Sequence, residues 1–301
     1  MKSRLLFSLL ILLFIPWMRG TVSGQRFESI KQAEDTLVAV LASLNRAEND
    51  SVKQALNRVF AENMLEAIKL PAADSYPFDS LRSLGKITSP DHKFRIFHWN
   101  LPTDEGRHHY FGFIKILGHN PPLVYPLADR SDSIDLPDTA ILGCKQWYGA
   151  LYYKVIPCET ASGEKIYTLL GWAGKNPQVT RKVIEVLRFN DQDLPYFGMK
   201  LFPDFHDGKM TRVIFSFAAT TTMSLKYEKQ AVASKKTWNS KKRVFDYSVE
   251  DVPMIVFDRL VPLDPKLEGN YQFYVPDGAI FDGFIFRNHM WVYQGNIESK
   301  K

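Results

Sequence analysis

Cysteine is scarce in this sequence, and the motifs of several common catalytic sites are missing. The 301 residues include two cysteines, Cys144 and Cys158, and neither has a recognisable nucleophile context. No G-x-S-x-G or H-E-x-x-H sequence occurs. GWAGKN (171–176) has two residues between its glycines, where a phosphate loop has four, and Asn follows its Lys. The sequence therefore points to no nucleophile, metal or phosphate-loop chemistry, and we expect no cofactor.

The chain also lacks an apolar run long enough to span a membrane. Leu5–Trp17 is almost wholly apolar, but it has about 13 residues where a transmembrane helix needs about 20. The other parts of a secretory signal peptide surround it: the cations Lys2 and Arg4, and the small residues Val22 and Gly24 before a cleavage at Gln25. We therefore assign residues 1–24 as a signal peptide. The sequence predicts an exported protein, periplasmic or peripheral to the outer membrane.

Positive charge is concentrated in this predicted signal. The full chain carries a formal charge of +5, and loss of the three cations in residues 1–24 leaves +2. The remaining basic cluster, KKTWNSKKR (235–243), is interpreted as a solvated loop, with contact to an anionic polymer or headgroup as the alternative. No motif supports nucleic-acid binding. No cysteine lies near the cleavage position, so no lipid anchor is expected.

The apolar pattern changes its period once, near residue 85. Before that point, three- and four-residue steps over 28–70 predict an antiparallel helical hairpin. Ser51, followed by Gln54, is the predicted cap of the second helix, and Pro71 ends that helix. The helical hairpin and its linker are assigned to residues 25–85.

After residue 85 the period becomes two, in aromatic and β-branched runs such as KFRIFHW and YFGFIKIL. Short links between these runs favour antiparallel strands. One helix is predicted among the strands at 177–188, with Asn176 as its cap and Pro177 at its first position. The expected fold class is therefore α+β. An N-terminal helical hairpin is followed, over residues 86–301, by a mainly antiparallel β-sheet assembly that contains one inserted helix.

The two cysteines bracket a predicted strand, Gln146–Ile156. At roughly 3.3 Å per residue, the ends of this strand lie more than about 30 Å apart, whereas a disulfide needs Cα atoms within roughly 7 Å. Export favours pairing, but pairing would need a sharp reversal at Gly149. We expect Cys144 and Cys158 to be unbridged.

Both faces of that predicted strand are aromatic. Trp147 and Tyr153 lie on one face, and Tyr148 and Tyr152 on the other. Two interpretations follow: both faces are buried between layers, or Tyr148 and Tyr152 form an exposed platform for a partner. The layered interpretation is favoured, and Tyr148 and Tyr152 are the candidate binding residues if the platform exists.

Histidines and acids offer two further candidates. His98 and His109 are expected to share one face of a hairpin, but zinc needs three or four protein ligands and no metal site is assigned. Asp258 interrupts the apolar strand MIVFDRL, and together with Asp282 it could form the two-carboxylate site of a hydrolase acting on glycan or peptide. Asp258 and Asp282 are therefore the catalytic candidates.

Four stretches carry a resemblance to a known family: WYGALYYKVIP, YTLLGWAGKN…VTRKVIEVL, MIVFDRLVPLDPKLEGNYQFYVPDG and FDGFIF…W. They resemble an exported protein family of Gram-negative bacteria of the Bacteroidota type, over roughly residues 30–297. That family has no assigned activity, so the resemblance implies compartment and architecture and supplies no catalytic residues. We expect a binding or assembly role in the cell envelope, with another envelope protein or a surface polymer as partner. The extracytoplasmic hydrolase is the alternative.

Export makes the first testable prediction. The mature protein is expected to begin at or near Gln25, because the small residues Val22 and Gly24 place the cleavage there. N-terminal sequencing of the protein recovered from the cell envelope checks this. Recovery of a chain that still carries the Leu5–Trp17 segment would contradict it.

Overall fold

A computed structural model of the chain describes residues 27–239 and 243–297, so the predicted signal peptide lies outside the described residues. Two helices come first, α1 Ile30–Leu44 and α2 Asp50–Lys69, and they form the predicted hairpin. Within the described ranges, no helix is long and apolar enough to cross a membrane.

The cap of α2 is Asn49 and not Ser51. The Asn49 side chain accepts a hydrogen bond from the Val52 amide at 3.0 Å, and Ser51 lies inside the helix. Asn caps a helix at least as well as Ser. The earlier start also places Asp50 in the first turn, where the helix dipole favours an acid.

Fourteen strands form three sheets in the described part of the chain. The first sheet contains β1 Gly85–Thr88, β2 Phe94–Pro102, β3 His108–Ile116 and β4 Leu123–Ala128. The second contains β5 Leu142–Gly143, β6 Leu151–Glu159, β7 Lys165–Gly174, β8 Val179–Phe189, β9 Pro195–Phe197 and β10 Val213–Ala218. The third contains β11 Leu225–Asn239, β12 Val244–Pro262, β13 Tyr274–Arg287 and β14 Met290–Ile297. All pairings between these strands are antiparallel, which confirms the predicted α+β class.

The hairpin and the three sheets stack as four layers with an apolar core at each seam. Phe60 of α2 packs with Trp99 of β2 in the first core. The opposite face of the first sheet packs on the second sheet, where Phe94 meets Tyr167. The second sheet in turn packs on the third, where Phe215 meets Phe257. Both faces of the second sheet are therefore buried.

The predicted helix at 177–188 is wrong, because these residues form strand β8. Val183–Leu187 are all buried, since β8 lies in the interior of the double-faced second sheet. A strand that is buried on both faces loses the alternation of period two and can imitate a helical stripe. Asn176 caps a turn instead of a helix: its side chain accepts from the Gln178 and Val179 amides at 3.0 and 2.9 Å.

The basic cluster at 235–243 is only partly the loop that the sequence predicts. Residues up to Asn239 belong to β11, which pairs with β12 as far as Asn239 and Val244. Residues 240–242 lie outside the described part of the chain. The strand therefore extends further into the polar cluster than its composition indicates.

His98 lies buried at the seam between the first two sheets. Its Nε2 donates to the carbonyl oxygen of Tyr152 on β6 at 3.0 Å, because a carbonyl can only accept. Gly85 on β1 lies against the ring, and a Cβ there would be 1.8 Å from the imidazole Cε1. The absence of a side chain at Gly85 is therefore what makes room for His98. Burial lowers the pKa of His98 to about 4.

This buried imidazole predicts a specific loss of stability in acid. Below about pH 6.5 the unfolded chain protonates His98, whereas the folded protein does so only near pH 4. The free energy of unfolding should therefore fall by about 3 kcal/mol as the pH decreases through that window. His98→Gln, which can still donate to Tyr152, should remove this part of the slope. Denaturant unfolding from pH 4 to pH 7 measures it.

The exposed His109 provides the control. His109→Gln should retain the wild-type slope. An equal slope in the wild type and in His98→Gln would show that His98 is not the source.

Candidate binding surface around Arg130

The segment between β4 and β5 crosses from the first sheet to the second, and Asp129 fixes its start. The Asp129 carboxylate accepts from three backbone amides: Tyr110 at 3.1 Å, Ser131 at 2.9 Å and Gly149 at 3.3 Å. Asp129 also forms a parallel β-bridge with Trp147. Its carboxylate is therefore engaged by the backbone, and the loop leaves the sheet in a fixed direction.

A buried ion pair fixes the far end of the same loop. The Nε of Arg212 donates to Glu185 on β8 at 2.8 Å, and both side chains are 0 % exposed. The Arg212 guanidinium also donates to the carbonyl oxygens of Pro137 and Ala140 in the loop. Thr211 donates its hydroxyl to the Ala140 oxygen at 2.8 Å. Residues 137–140 are thus attached to the centre of the second sheet. We call residues 130–141 the anchored loop.

Two apolar side chains on the anchored loop face solvent. Leu136 is 78 % exposed and Ile141 is 57 % exposed. Leu136 has φ +47°, a left-handed conformation that costs a non-glycine residue about 1 to 3 kcal/mol. The contacts of Arg212 and Thr211 hold the neighbouring backbone, so the loop keeps this conformation. Strain of this kind is concentrated at functional sites and supports a hypothesis of function.

A cleft of about 600 Å³ opens on one side of Arg130, between α2 and the first sheet. Its floor is apolar and includes Leu101 and Leu127, both largely buried. Its rim carries three exposed basic side chains: Arg58 of α2, His109 of β3 and Arg130. Within the described residues, none of these three side chains has a hydrogen bond or an ion pair. We call this space the α2 cleft.

One buried amide lines the α2 cleft with its donors unused. Asn57 is 3 % exposed, and its Oδ1 accepts from the indole Nε1 of Trp99 at 2.7 Å. Because an indole can only donate, this bond fixes which amide atom is oxygen. The Nδ2 of Asn57 has no protein acceptor in the described ranges and is not among the buried atoms that lack a partner, so its two N–H groups are open to the cleft.

A second groove of about 690 Å³ lies on the other side of Arg130. It separates the anchored loop from the segment that follows β5. Its lining mixes apolar and charged side chains: Arg130, Ser133, Ile134, Asp135, Leu142, Lys145 and Gln146. The anchored loop, the groove and the α2 cleft therefore form one surface. Arg130 lines both the groove and the cleft and lies where they meet.

The structure does not bring Asp258 and Asp282 together in a cleft. Asp258 pairs with Phe281 in the β12–β13 register, whereas Asp282 pairs with Phe257, so the two carboxylates project to opposite faces. The Asp258 carboxylate accepts from the Ser224 amide at 2.6 Å. The fold thus separates the two carboxylates that the hydrolase hypothesis requires.

Asp282 is instead one half of a structural ion pair. Its oxygens accept from the Nε and the second terminal nitrogen of Arg259 at 2.9 and 2.5 Å, and from the Asn296 amide at 3.1 Å. Burial acts in the opposite direction, but these donors hold the pKa of Asp282 below its ordinary value. A general acid of a glycosidase needs a raised pKa. Asp282 therefore has the wrong electrostatic environment for that role.

Tyr148 and Tyr152 lie in the core and do not form an exposed platform. They are 1 % and 3 % exposed, next to Trp147 at 0 %. The Tyr152 hydroxyl accepts from the Trp147 indole at 2.9 Å, and the Tyr148 hydroxyl accepts from Arg181 at 2.7 Å. Both tyrosines are therefore core residues, whereas Tyr153, on the other predicted face, is 44 % exposed, so the segment is buried between layers only in part.

The cysteines are free thiols, as the sequence predicts, although the strand between them is shorter than expected. Cys144 begins a 3₁₀ helix, and β6 starts only at Leu151. Burial raises the pKa of both thiols to about 11. Neither Cys144 nor Cys158 is therefore a thiolate nucleophile near neutral pH.

His98 and His109 do not share a face, contrary to expectation. The β2–β3 register pairs His98 with Gly112 and His109 with Leu101, which places the two rings on opposite sides of the sheet. Across 27–239 and 243–297, no group of three or more His, Cys, Asp or Glu side chains is arranged to hold a metal ion.

Comparison of the chain with protein-family models, with curated sequences and with solved structures gives no match. The resemblance to an exported family therefore stays a prediction.

Sequence reasoning missed the residues that define this surface. Leu136 and Ile141 lie in SIDLPDTAIL (133–142), where apolar residues surround a Leu-Pro turn. Such residues in a turn are a weak signal of exposure. Nothing in the sequence distinguishes Asn57 from other polar helix residues, because its role depends on Trp99 from a distant strand.

The strain at Leu136 predicts an unusual gain in stability. Leu136→Gly should raise the free energy of unfolding by about 1 kcal/mol, because glycine adopts this φ freely and the exposed side chain loses little burial. Denaturant unfolding of the purified protein measures the change. Leu263→Gly is the matched control, since Leu263 is 67 % exposed and is not among the positive-φ residues. It should lose stability, and a loss of stability in Leu136→Gly as well would contradict the strain.

Proposed function

We propose that this protein is an exported component of the cell envelope that binds another envelope protein and does not turn over a substrate. The signal-peptide pattern of residues 1–24 supports export. The observation that carries the binding role is the anchored loop, which presents Leu136 and Ile141 to solvent in a fixed and strained conformation.

The form of the anchored loop suits a protein partner. A few side chains that the partner encloses provide most of the binding energy of a protein interface. Leu136 and Ile141 are such side chains, and the buried Arg212 holds the loop that carries them. A pre-ordered loop loses little conformational entropy on binding. Arg130 and Lys145 in the adjoining groove supply the polar rim of such an interface.

The hydrolase alternative has no support in the geometry. Its two candidate acids, Asp258 and Asp282, point to opposite faces of the β12–β13 pair, and Asp282 is bound by Arg259. A glycosidase needs its two carboxyl groups to flank one bond. We therefore propose binding alone.

The test replaces the exposed apolar side chains and measures both stability and partner recovery. Tagged wild-type protein is cross-linked in envelope fractions, and its partner is identified and quantified. Leu136→Asp and Ile141→Asp should each reduce recovery of that partner at least tenfold, because each introduces a charge at an enclosed contact. Melting temperatures should change little, since both side chains face solvent.

Leu263→Asp is the matched control, because Leu263 is a comparably exposed leucine in the bend directly after β12. It should recover the partner at the wild-type level. Equal recovery with all variants would show that the anchored loop is not the interface. Recovery of a polysaccharide in place of a protein would replace the protein partner with a surface polymer.

A further inference from the structure

The α2 cleft has more hydrogen-bond donors than the protein uses. Arg58 and Arg130 contribute guanidinium groups, and Asn57 contributes two amide N–H groups from a side chain that is 3 % exposed. In the described part of the chain, no acceptor satisfies any of these groups. The Asn57 nitrogen is not among the buried side-chain atoms that lack a partner, so it is open to the cleft, where a ligand can replace water as its acceptor.

An acceptor for these donors comes from outside the chain, either as water or as a ligand. Asp129 is the one acid that lines the cleft, and its carboxylate already accepts from three backbone amides. Two arginines against one aspartate leave the lining net positive by one charge when His109 is neutral. The cleft therefore favours a monoanion. Guanidinium groups bind carboxylates through parallel N–H···O bonds.

The floor adds a second requirement, because Leu101, Phe111 and Leu127 present apolar surface beneath the donors. A volume of about 600 Å³ lies within the range of pockets that hold small organic ligands, roughly 300 to 1,000 Å³. A hydrated inorganic ion would leave this apolar surface in contact with water. An apolar body attached to the anion would cover it.

We propose that the α2 cleft binds a monocarboxylate with an apolar body. The carboxylate accepts from Asn57, Arg58 and Arg130, and the apolar body lies on the floor of β2–β4. A fatty acid and the apolar C-terminus of a peptide share this chemistry. The site shares Arg130 with the anchored loop, but Leu136 and Ile141 do not line it, so its test can fail while the partner interaction stands, and the reverse also holds.

Binding is measured by titration calorimetry on the purified mature chain with decanoate, decanol, acetate and decyl phosphate. Decanoate should bind at least tenfold more tightly than decanol, which lacks the charge, and than acetate, which lacks the apolar body. It should also bind more tightly than decyl phosphate, whose charge near pH 7 is about −1.5 to −2 and exceeds that of the lining. Tighter binding of decanol or of decyl phosphate would overturn the proposal.

N-acetyl-leucyl-leucine and its C-terminal amide distinguish the two sources of the carboxylate. If the peptide acid binds more tightly than decanoate and the amide does not bind, the natural ligand is a peptide C-terminus. If decanoate binds more tightly, the natural ligand is a fatty acid. Failure of both acids to bind would overturn the assignment.

Substitutions at the rim and at the buried amide test the residues. Arg58→Gln and Arg130→Gln should each weaken decanoate binding about tenfold, and both positions are exposed, so the fold should tolerate them. Arg82→Gln, at an exposed arginine outside the cleft, is the control and should bind as the wild type does. Unchanged affinity in both rim variants would overturn the proposal.

Asn57→Asp tests the amide with little change of shape. An aspartate keeps an oxygen for Trp99 but replaces the two donors with a negative charge. Decanoate binding should therefore be lost, and the melting temperature shows whether the variant is folded. A folded Asn57→Asp protein that binds decanoate as the wild type does would contradict the proposed role of Asn57.

Discussion

The ion pair between Glu185 and Arg212 is the interaction on which the second sheet and its loop depend. Both side chains are fully buried, and removing two charges from water costs several kcal/mol per ion unless hydrogen bonds compensate. The compensation comes from the surrounding backbone. Arg212 donates to the oxygens of Pro137, Ala140 and Phe197, and Glu185 accepts from the Val186 amide. The loop and the strand end thus satisfy the ion pair, and the ion pair fixes their positions.

This mutual dependence explains how a strained residue can persist at the surface. Leu136 keeps a left-handed backbone because the carbonyl oxygen of Pro137, one residue further along, is held by Arg212 from inside the sheet. Release of that oxygen would relieve Leu136 but leave a buried guanidinium short of acceptors, which is the more costly state. The exposure of Leu136 and Ile141 is therefore set from the core. Sites that bind partners commonly gain their geometry from a rigid scaffold beneath a loop.

The elements with a regular local sequence pattern were predictable from the sequence. The α1–α2 hairpin shows a clean period of 3.6 because one of its faces is buried. Strands β2 and β3 are buried on both faces and were predictable from their aromatic and β-branched runs and the turn-rich link between them. Strand β8 was not predictable in this way, since Val183 faces one core and Ile184 the other. The candidate surface was harder still. The unused amide of Asn57 exists only because Trp99 approaches from a strand 42 residues away, and sequence periodicity carries no record of that contact.

The seams between layers follow a common rule. Apolar contact gives each seam cohesion but little direction, so layers held by it alone could slide. Each seam also carries at least one buried hydrogen bond from an aromatic or imidazole side chain. Trp99 donates to Asn57 between the helices and the first sheet, His98 to the Tyr152 carbonyl between the first two sheets, and Trp291 to Thr168 between the second and third. Because a buried donor loses its partner when a layer shifts, these three bonds select one registry for the stack. The oxygen of Asn57 accepts one of these three bonds, and its nitrogen lines the α2 cleft. The bond from Trp99 therefore aligns the helices with the sheet and also orients the two N–H groups of Asn57 towards the cleft.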